Sequence, residues 1–444
     1  MKRIGVETLR GTALRTSLAI YAAAGLTSTA IAQDAAQIQD VQVTVGDPGE
    51  RRKEEVLKTP RAIVVIDPVQ AEREHLFCLD DFAQKLPSYR PNTVTPHGSR
   101  ASIRGVGIAS GGTGVGSQSA TGFMIDNVFW IYPAFQWGDF VDLESVEVAL
   151  GPQGTAFGKN TTVGNIILRT QLPSFTRKAT IESSYGNYGR ITEKVNVTGP
   201  IVDDKLAYRL SGYFDKSDGY FHDIVSGAGY LNFNRWGVRG QLLFTGDEIT
   251  DRFIASYGSS NEYNDYVNGP TGDSYLMYAN GRVPAATFAQ NFLKRLGRPA
   301  FLWRPYDAAL TRQGTDPAYV YTFSNELNWQ LGDNTFTAIT AYGFAGNKQH
   351  GFSDGNNLVE LKSTGMDTKV GQLSQEFRLA SPKDQELEWR VGFYSVYEDA
   401  GNEMHHTDFG SDMAVQRDNY DGRLATIKLA KLGGRRVVAR RLSV

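Results

Sequence analysis

One cysteine, Cys78, is all the thiol in a chain of 444 residues, so an internal disulfide and a thiolate metal cluster are both excluded. Cys78 itself reads as a small buried hydrophobe. Net charge is nearly absent: 46 basic against 48 acidic side chains leave −2, no global field to draw the chain to nucleic acid. Long apolar runs are missing past Ala32, where no stretch approaches the ~20 residues a membrane-crossing helix needs. A membrane location therefore requires strands, because backbone groups in lipid are satisfied only within a helix or around a closed sheet. No nucleophile, base and orienting group fall into a recognisable catalytic order, so no enzyme is expected.

Glycine (47), tyrosine (21) and phenylalanine (23) are plentiful, a composition that leans towards all-β. At the N-terminus, Lys2, Arg3, Arg10 and Arg15 precede an apolar run over 18–26, and Ala30-Ile31-Ala32 offers small residues around one spacer. That is the layout of a secretory signal peptide, with cleavage expected after Ala32.

Two regions of different character follow. Between about Val41 and Leu172, short strands such as Ile63-Val64-Val65-Ile66 mix with glycine-rich turns and one short helix over 80–86, stopped at Pro87. Residues 122–129 read as a strand, a tight turn and a second strand. The whole is a compact α+β unit.

From about Lys178 the period becomes two. Residues 319–330 set Phe323, Leu327 and Trp329 opposite Thr322, Ser324, Glu326, Asn328 and Gln330; residues 205–214 set Leu206, Tyr208, Leu210 and Phe214 opposite Ala207, Arg209 and Ser211. About nine such strands are expected, near 179–186, 189–198, 205–215, 235–245, 251–260, 319–330, 334–345, 369–380 and 386–397, each close to the ~9–11 residues that cross a bilayer at a tilt. Short turns at 200–204, 246–250, 332–334 and 382–385 alternate with long connections at 216–234, 261–318, 346–368 and from 398 onward. Outer-membrane barrels segregate loop length in this way, and a soluble sandwich has no reason to.

The most specific pattern lies over 139–170. It runs Asp142-Leu143-Glu144-Ser145-Val146-Glu147-Val148, then Gly151-Pro152-Gln153-Gly154-Thr155-Ala156-Phe157-Gly158-Lys159-Asn160, then Gly164-Asn165-Ile166-Ile167-Leu168-Arg169-Thr170. Here the chain resembles the plug domain of TonB-dependent outer-membrane receptors, and Ser102-Ile103-Arg104-Gly105, Ile125-Asp126-Asn127-Val128 and the strand over 374–381 agree. Val163 departs from the family, which usually has a second glycine before Gly164.

The resemblance implies a mainly β fold: a small α+β plug followed by an antiparallel transmembrane β-barrel. The expected organisation is a signal peptide (1–32), a periplasmic segment (33–50), a plug (51–173), the N-terminal part of the barrel (174–422) and an atypical tail (423–444). In the family the position of Asp40-Val41-Gln42-Val43-Thr44-Val45 holds the TonB box, which pairs edge to edge with a strand of the periplasmic TonB protein. Buried charged contacts between plug and wall are also implied, with Glu144, Glu147, Lys159 and Arg169 as candidates. The implied partners are TonB, outer-membrane lipid and an extracellular ligand, a ferric siderophore, with carbohydrate or cobalamin as alternatives. No cofactor, metal or nucleic acid is expected. Tyr263, Tyr266, Trp303, Arg304 and Tyr306, in the longest loop, are the candidate ligand contacts.

Two glycine- or histidine-rich features are read otherwise. The run over 111–116 has no Lys-Ser/Thr after it and is a plug loop rather than a phosphate cradle. His405-His406 lacks defined ligand spacing and reads as a solvated loop. Nine strands cannot close around a plug that the family houses in about 22. The tail over 423–444 holds seven basic residues, no acidic ones and no aromatics, so a truncated, non-transporting chain is an expectation beside the transporter.

Overall fold

The computed structural model describes residues 62–66, 73–74, 81–86, 88–92, 100–107, 119–132, 135, 141–152, 154, 161–223, 227–263, 306–308, 315–350, 361–363, 365–382, 385–404 and 408–409. The signal peptide, the TonB-box segment, the run over 111–116, His405-His406 and the tail over 423–444 lie outside them.

The N-terminal unit is a five-stranded sheet in the order β1-β4-β5-β2-β3, with β1 Ala62–Ile66, β2 Thr121–Ile125, β3 Val128–Phe129, β4 Leu143–Leu150 and β5 Gly164–Thr170. Strand β5 is central and buried along its whole length; it runs antiparallel to β4 and parallel to β2. Ile166, Leu168, Val146, Val148 and Phe123 fill the core, and burial of each such side chain contributes roughly 1.5–3 kcal/mol. Gly164 must be glycine, because a Cβ there would stand 2.5 Å from the Ala149 carbonyl oxygen. Val163 keeps a backbone outside the positive-φ region and closes the loop by accepting from the Gly151 N–H at 2.9 Å, so the departure from the family pattern is accommodated. The helix expected over 80–86 is one 3₁₀ turn, Asp81–Gln84. Strands β2 and β3 are joined as expected by Asp126-Asn127, with φ of 48° and 65°, the twist that a two-residue hairpin demands.

The second unit is a nine-stranded antiparallel sheet in which each strand pairs with its sequence neighbours. Its members are β6 Lys178–Gly186, β7 Arg190–Val202, β8 Leu206–Lys216, β9 Asn234–Thr245, β10 Ile249–Glu262, β11 Asp316–Leu331, β12 Asn334–His350, β13 Gly365–Ala380 and β14 Arg390–Met404. All nine expected strands are present. The last differs in its bounds: it begins at Arg390, beside which Ser381 accepts the Trp389 N–H on its hydroxyl at 2.9 Å and donates its own N–H to the Trp389 carbonyl. The strands also run further on the long-loop side than the alternation alone suggests, to 16 and 17 residues in β11 and β12.

The faces of this wall are inverted relative to a soluble sheet. Leu210, Phe214, Trp236, Val238, Leu242, Phe244, Phe253, Phe323, Leu373 and Phe377 are exposed on one face. Arg209 is partly covered on the other, and Ser211, Asp215, Arg235, Arg239, Gln241, Gln372, Ser374 and Glu398 are buried there. Apolar outside and polar inside is the order a lipid-facing barrel wall requires. Aromatics gather at both ends of the outer face. Tyr319, Tyr321 and Phe344 stack near the long loops, with centroids 5.5–6.1 Å apart for the pairs with Phe344, while Phe336 stacks on Phe377 at 6.2 Å near the short turns beside Trp329. From Tyr319 to Trp329 the strand rises about 33 Å, or about 25 Å across at a ~40° tilt, the height of an outer-membrane apolar band.

Candidate functional site

The plug sits on the polar face of the wall through two contact zones of opposite chemistry. Near the short turns the contact is polar. Asp126, buried in the β2–β3 turn, accepts from the Thr170 N–H at 2.9 Å, the Thr170 hydroxyl at 2.8 Å and Arg252 Nη1 at 3.3 Å. Arg252, near the start of β10, also donates to Thr170 Oγ1 and to Gln241 Oε1, both at 2.7 Å. Asn127 donates to Glu326 of β11 at 2.8 Å. Asp142, held at φ 61°, accepts from Nε and Nη2 of Arg209 and from the Ser211 hydroxyl at 2.6 Å, while Arg239 donates to the Val141 carbonyl at 3.0 Å.

Further along the wall the contact is dry. Trp130 and Phe135, with ring centroids 4.8 Å apart, settle into a hollow lined by Val320, Ile339, Ala341, Ala345 and Val370. The hollow exists because residue 343 has no side chain: a Cβ at Gly343 would stand 2.4 Å from the Trp130 ring and 2.8 Å from Phe135. Beside it, the Gln372 carboxamide grips the plug backbone, donating to the Phe129 carbonyl at 2.7 Å and accepting from the Ile131 N–H at 3.1 Å. The Tyr132 hydroxyl donates to Glu398 at 3.3 Å; burial pushes that phenol up, and the Glu398 charge pushes it further.

At the long-loop end the connections are folded. Strands Phe221–Asp223, Gly229–Tyr230 and Asp307–Ala308 form a small sheet that joins the two longest loops, with Tyr230 fully buried under Phe221, Ala228 and Tyr263. At its base, the Phe233 ring lies between Arg190 at 4.3 Å and Arg235 at 4.6 Å, and each guanidinium is tied in turn to a carboxylate, Asp215 or Glu262. Tyr188, Tyr220 and Tyr306 stand exposed above this base, with Tyr220 6.2 Å and 6.0 Å from its neighbours. Burial and the neighbouring Tyr306 and Tyr188 raise the Tyr220 phenol.

The residues singled out in the sequence fall as follows. Glu147 and Arg169 face each other across β4 and β5 at 3.3 Å inside the plug, and Glu144 is half-buried on β4. Ion pairs between plug and wall join Asp126 to Arg252 and Asp142 to Arg209. Gly151 takes φ +93° and Pro152 and Gly154 are exposed, while Gln153, Gly158, Lys159 and Asn160 lie outside the described residues. Tyr306 is 56% exposed in the tyrosine patch and Tyr263, half-buried, packs on Tyr230; Tyr266, Trp303 and Arg304 are outside the described residues. Reading along the sequence missed Arg209, Arg252, Gln372 and Trp130. For the two arginines a signal existed: a cation on the polar face of an alternating strand, within a few residues of a short turn.

A small plug seated on the polar inner face of an antiparallel, outwardly apolar wall is the architecture of a plugged β-barrel. Residues 55–165 match the TonB-dependent Receptor Plug Domain. Over those residues the chain carries the plug domain of TonB-dependent receptors. Over 97 residues it is 40% identical to the pesticin receptor of Yersinia pestis, covering 22% of this chain and 14% of that one. Over 164 residues it is 28% identical to a probable TonB-dependent siderophore receptor, PirA, of Acinetobacter baumannii, covering 34% of this chain and 20% of that one. The fold matches the ferric yersiniabactin uptake receptor FyuA of Yersinia pestis with a TM-score of 0.62 at 19% identity, over 79% of this chain and 50% of that one. It matches the ferripyoverdine receptor of the Pseudomonas aeruginosa outer membrane with a TM-score of 0.60 at 14% identity, over 80% and 45%. The chain thus spans about half the length of these solved structures, 50% of the first.

Proposed function

We propose that this chain is exported through a cleaved signal peptide to the outer membrane and serves TonB-coupled uptake of a ferric siderophore. The observation that carries the reading is the plug itself, matched to the family and held on the wall by ion pairs and an apolar dock that a pull can break and re-form. The names of the similar proteins, a ferric yersiniabactin uptake receptor and a ferripyoverdine receptor among them, favour iron chelates over carbohydrate or cobalamin. Asp40-Val41-Gln42-Val43-Thr44-Val45 supplies the extended segment to which TonB adds a strand; main-chain pairing requires little of the side chains there. The exposed tyrosines 188, 220 and 306 are the outer surface a ligand meets first.

The competing reading is a chain that does not transport, because β6 and β14 have no strand on their outer side among the described residues. Uptake of labelled ferric yersiniabactin and ferric pyoverdine, in cells whose sole receptor is this chain, decides. Accumulation that collapses on Val43→Pro, which removes a backbone donor from the box, while surface binding persists, is the expected result. Binding without accumulation in the unaltered chain supports the non-transporting reading.

A further inference from the structure

The outer face of the wall carries one feature that lipid does not explain. Asn325 on β11, Thr340 on β12, Gln375 on β13 and Ser395 on β14 are register partners in succession, a polar ladder across four adjacent strands. All four point away from the plug. Their sequence neighbours Glu326 and Ile339 face inward, as do Ser374 and Val396. The ladder lies at mid-depth, four residues from Tyr321 in the upper aromatic belt and four from Trp329 in the lower. The rows on either side are apolar: Phe323, Tyr342, Leu373 and Tyr397 above, Leu327, Ala338, Phe377 and Phe393 below. On β10 and β9 the same row continues as Phe253 and Leu242, and the polar run ends on Asp251 of β10, one row below on the same face.

Internal bonds satisfy part of it. Asn325 Nδ2 donates to Asp251 at 2.7 Å, Thr340 Oγ1 donates to Gln375 Oε1 at 2.7 Å, and Gln375 Nε2 donates to the Ile339 carbonyl at 3.2 Å. Each primary amide has a second N–H, and Asn325 Oδ1 and the Ser395 hydroxyl have further capacity. Acyl chains at this depth offer no partner, and polar groups turned to lipid are costly.

We propose that this sector is a docking surface for a second copy of the chain, wall against wall in the membrane. The inference rests on the reading that the wall spans a membrane. A two-fold axis along the membrane normal keeps every residue at its own depth, so the ladder of one copy meets the ladder of the other at the same height. Because Asn, Thr, Gln and Ser each both donate and accept, a ladder is complementary to its own image. An unrelated partner would have to match four strands of hydrogen-bonding groups at this single depth, and a headgroup cannot reach it.

The test is cysteine cross-linking of the full chain in isolated outer membranes, in a Cys78→Ser background, with Leu373→Cys as reporter one row above the ladder. The expected product has twice the chain mass. It falls at least tenfold when the ladder is made apolar by Asn325→Leu, Thr340→Val, Gln375→Leu and Ser395→Ala. Asp251→Asn accompanies them, so that no carboxylate loses its donor in lipid, and protease protection of the plug verifies that the wall stays folded. An Ile181→Cys reporter on β6 monitors association through a sheet edge. A product unchanged by the apolar ladder, a product at Ile181→Cys alone, an adduct of another mass, or no adduct in a membrane-inserted chain overturns the proposal. A chain absent from the membrane fraction refutes the membrane reading itself.

Discussion

At the residue scale, the plug is held by charges that are individually costly and mutually necessary. Asp142 and Arg209 are 4% and 14% exposed, so neither carries its charge in water. Removing one partner of such a buried pair costs about 3–5 kcal/mol, most of it the stranded charge, whereas the pair itself is worth far less. Arg209→Ala therefore loosens the plug by about that amount, read as proteolytic cleavage between β4 and β5 at lower urea; Arg209→Ala with Asp142→Asn recovers part of the loss. The apolar zone answers to volume instead. Gly343→Leu drives a side chain into the space of Trp130 and Phe135, and overpacking of this kind costs about 1–3 kcal/mol. The expected readout is a rise in Trp130 solvent exposure by fluorescence quenching with the wall unchanged.

At the scale of elements, the strands were legible because a period of two records which face each residue takes. Thr322, Ser324, Glu326 and Asn328 could be assigned to one side from sequence, and that side is the one Asn127 reaches to bond Glu326. The end of β14 near the short turns was not legible. The hydrogen bonds between Ser381 and Trp389 beside it depend on a side chain bonding locally to backbone, which alternation does not encode. The plug's ion pairs were hidden for a different reason. Asp126 and Arg252 are 126 residues apart, and only the docking of two sheets brings them together. The outward row of β13 gives a prediction proper to this scale. Leu373→Arg places a charge among Phe323, Tyr342 and Tyr397 in the apolar band and costs about 2–4 kcal/mol of membrane-inserted stability, whereas Ser374→Arg, on the plug side, does not carry that lipid cost. Denaturant titration in lipid vesicles separates the two.

At the scale of the whole molecule, the plug is tied at one end by polar bonds and docked at the other in an apolar hollow, behind a wall whose outside is apolar. The plug domain was legible from one long motif, because glycines such as Gly151 and Gly164 are fixed by backbone geometry and close packing that few side chains tolerate. The arrangement of the outer aromatics was not legible: Tyr306 joins Tyr188 and Tyr220 in an exposed patch and Tyr263 packs on Tyr230, contacts that loop composition does not encode. The central claim is the sidedness of the wall. Single spin labels at successive positions from Tyr319 to Gln330, in membranes, test it through their accessibility to oxygen, which concentrates in lipid. The account predicts high accessibility at 319, 321, 323, 325, 327 and 329 and low accessibility at the positions between, under the plug; accessibility without a period of two, or with the opposite phase, would contradict it.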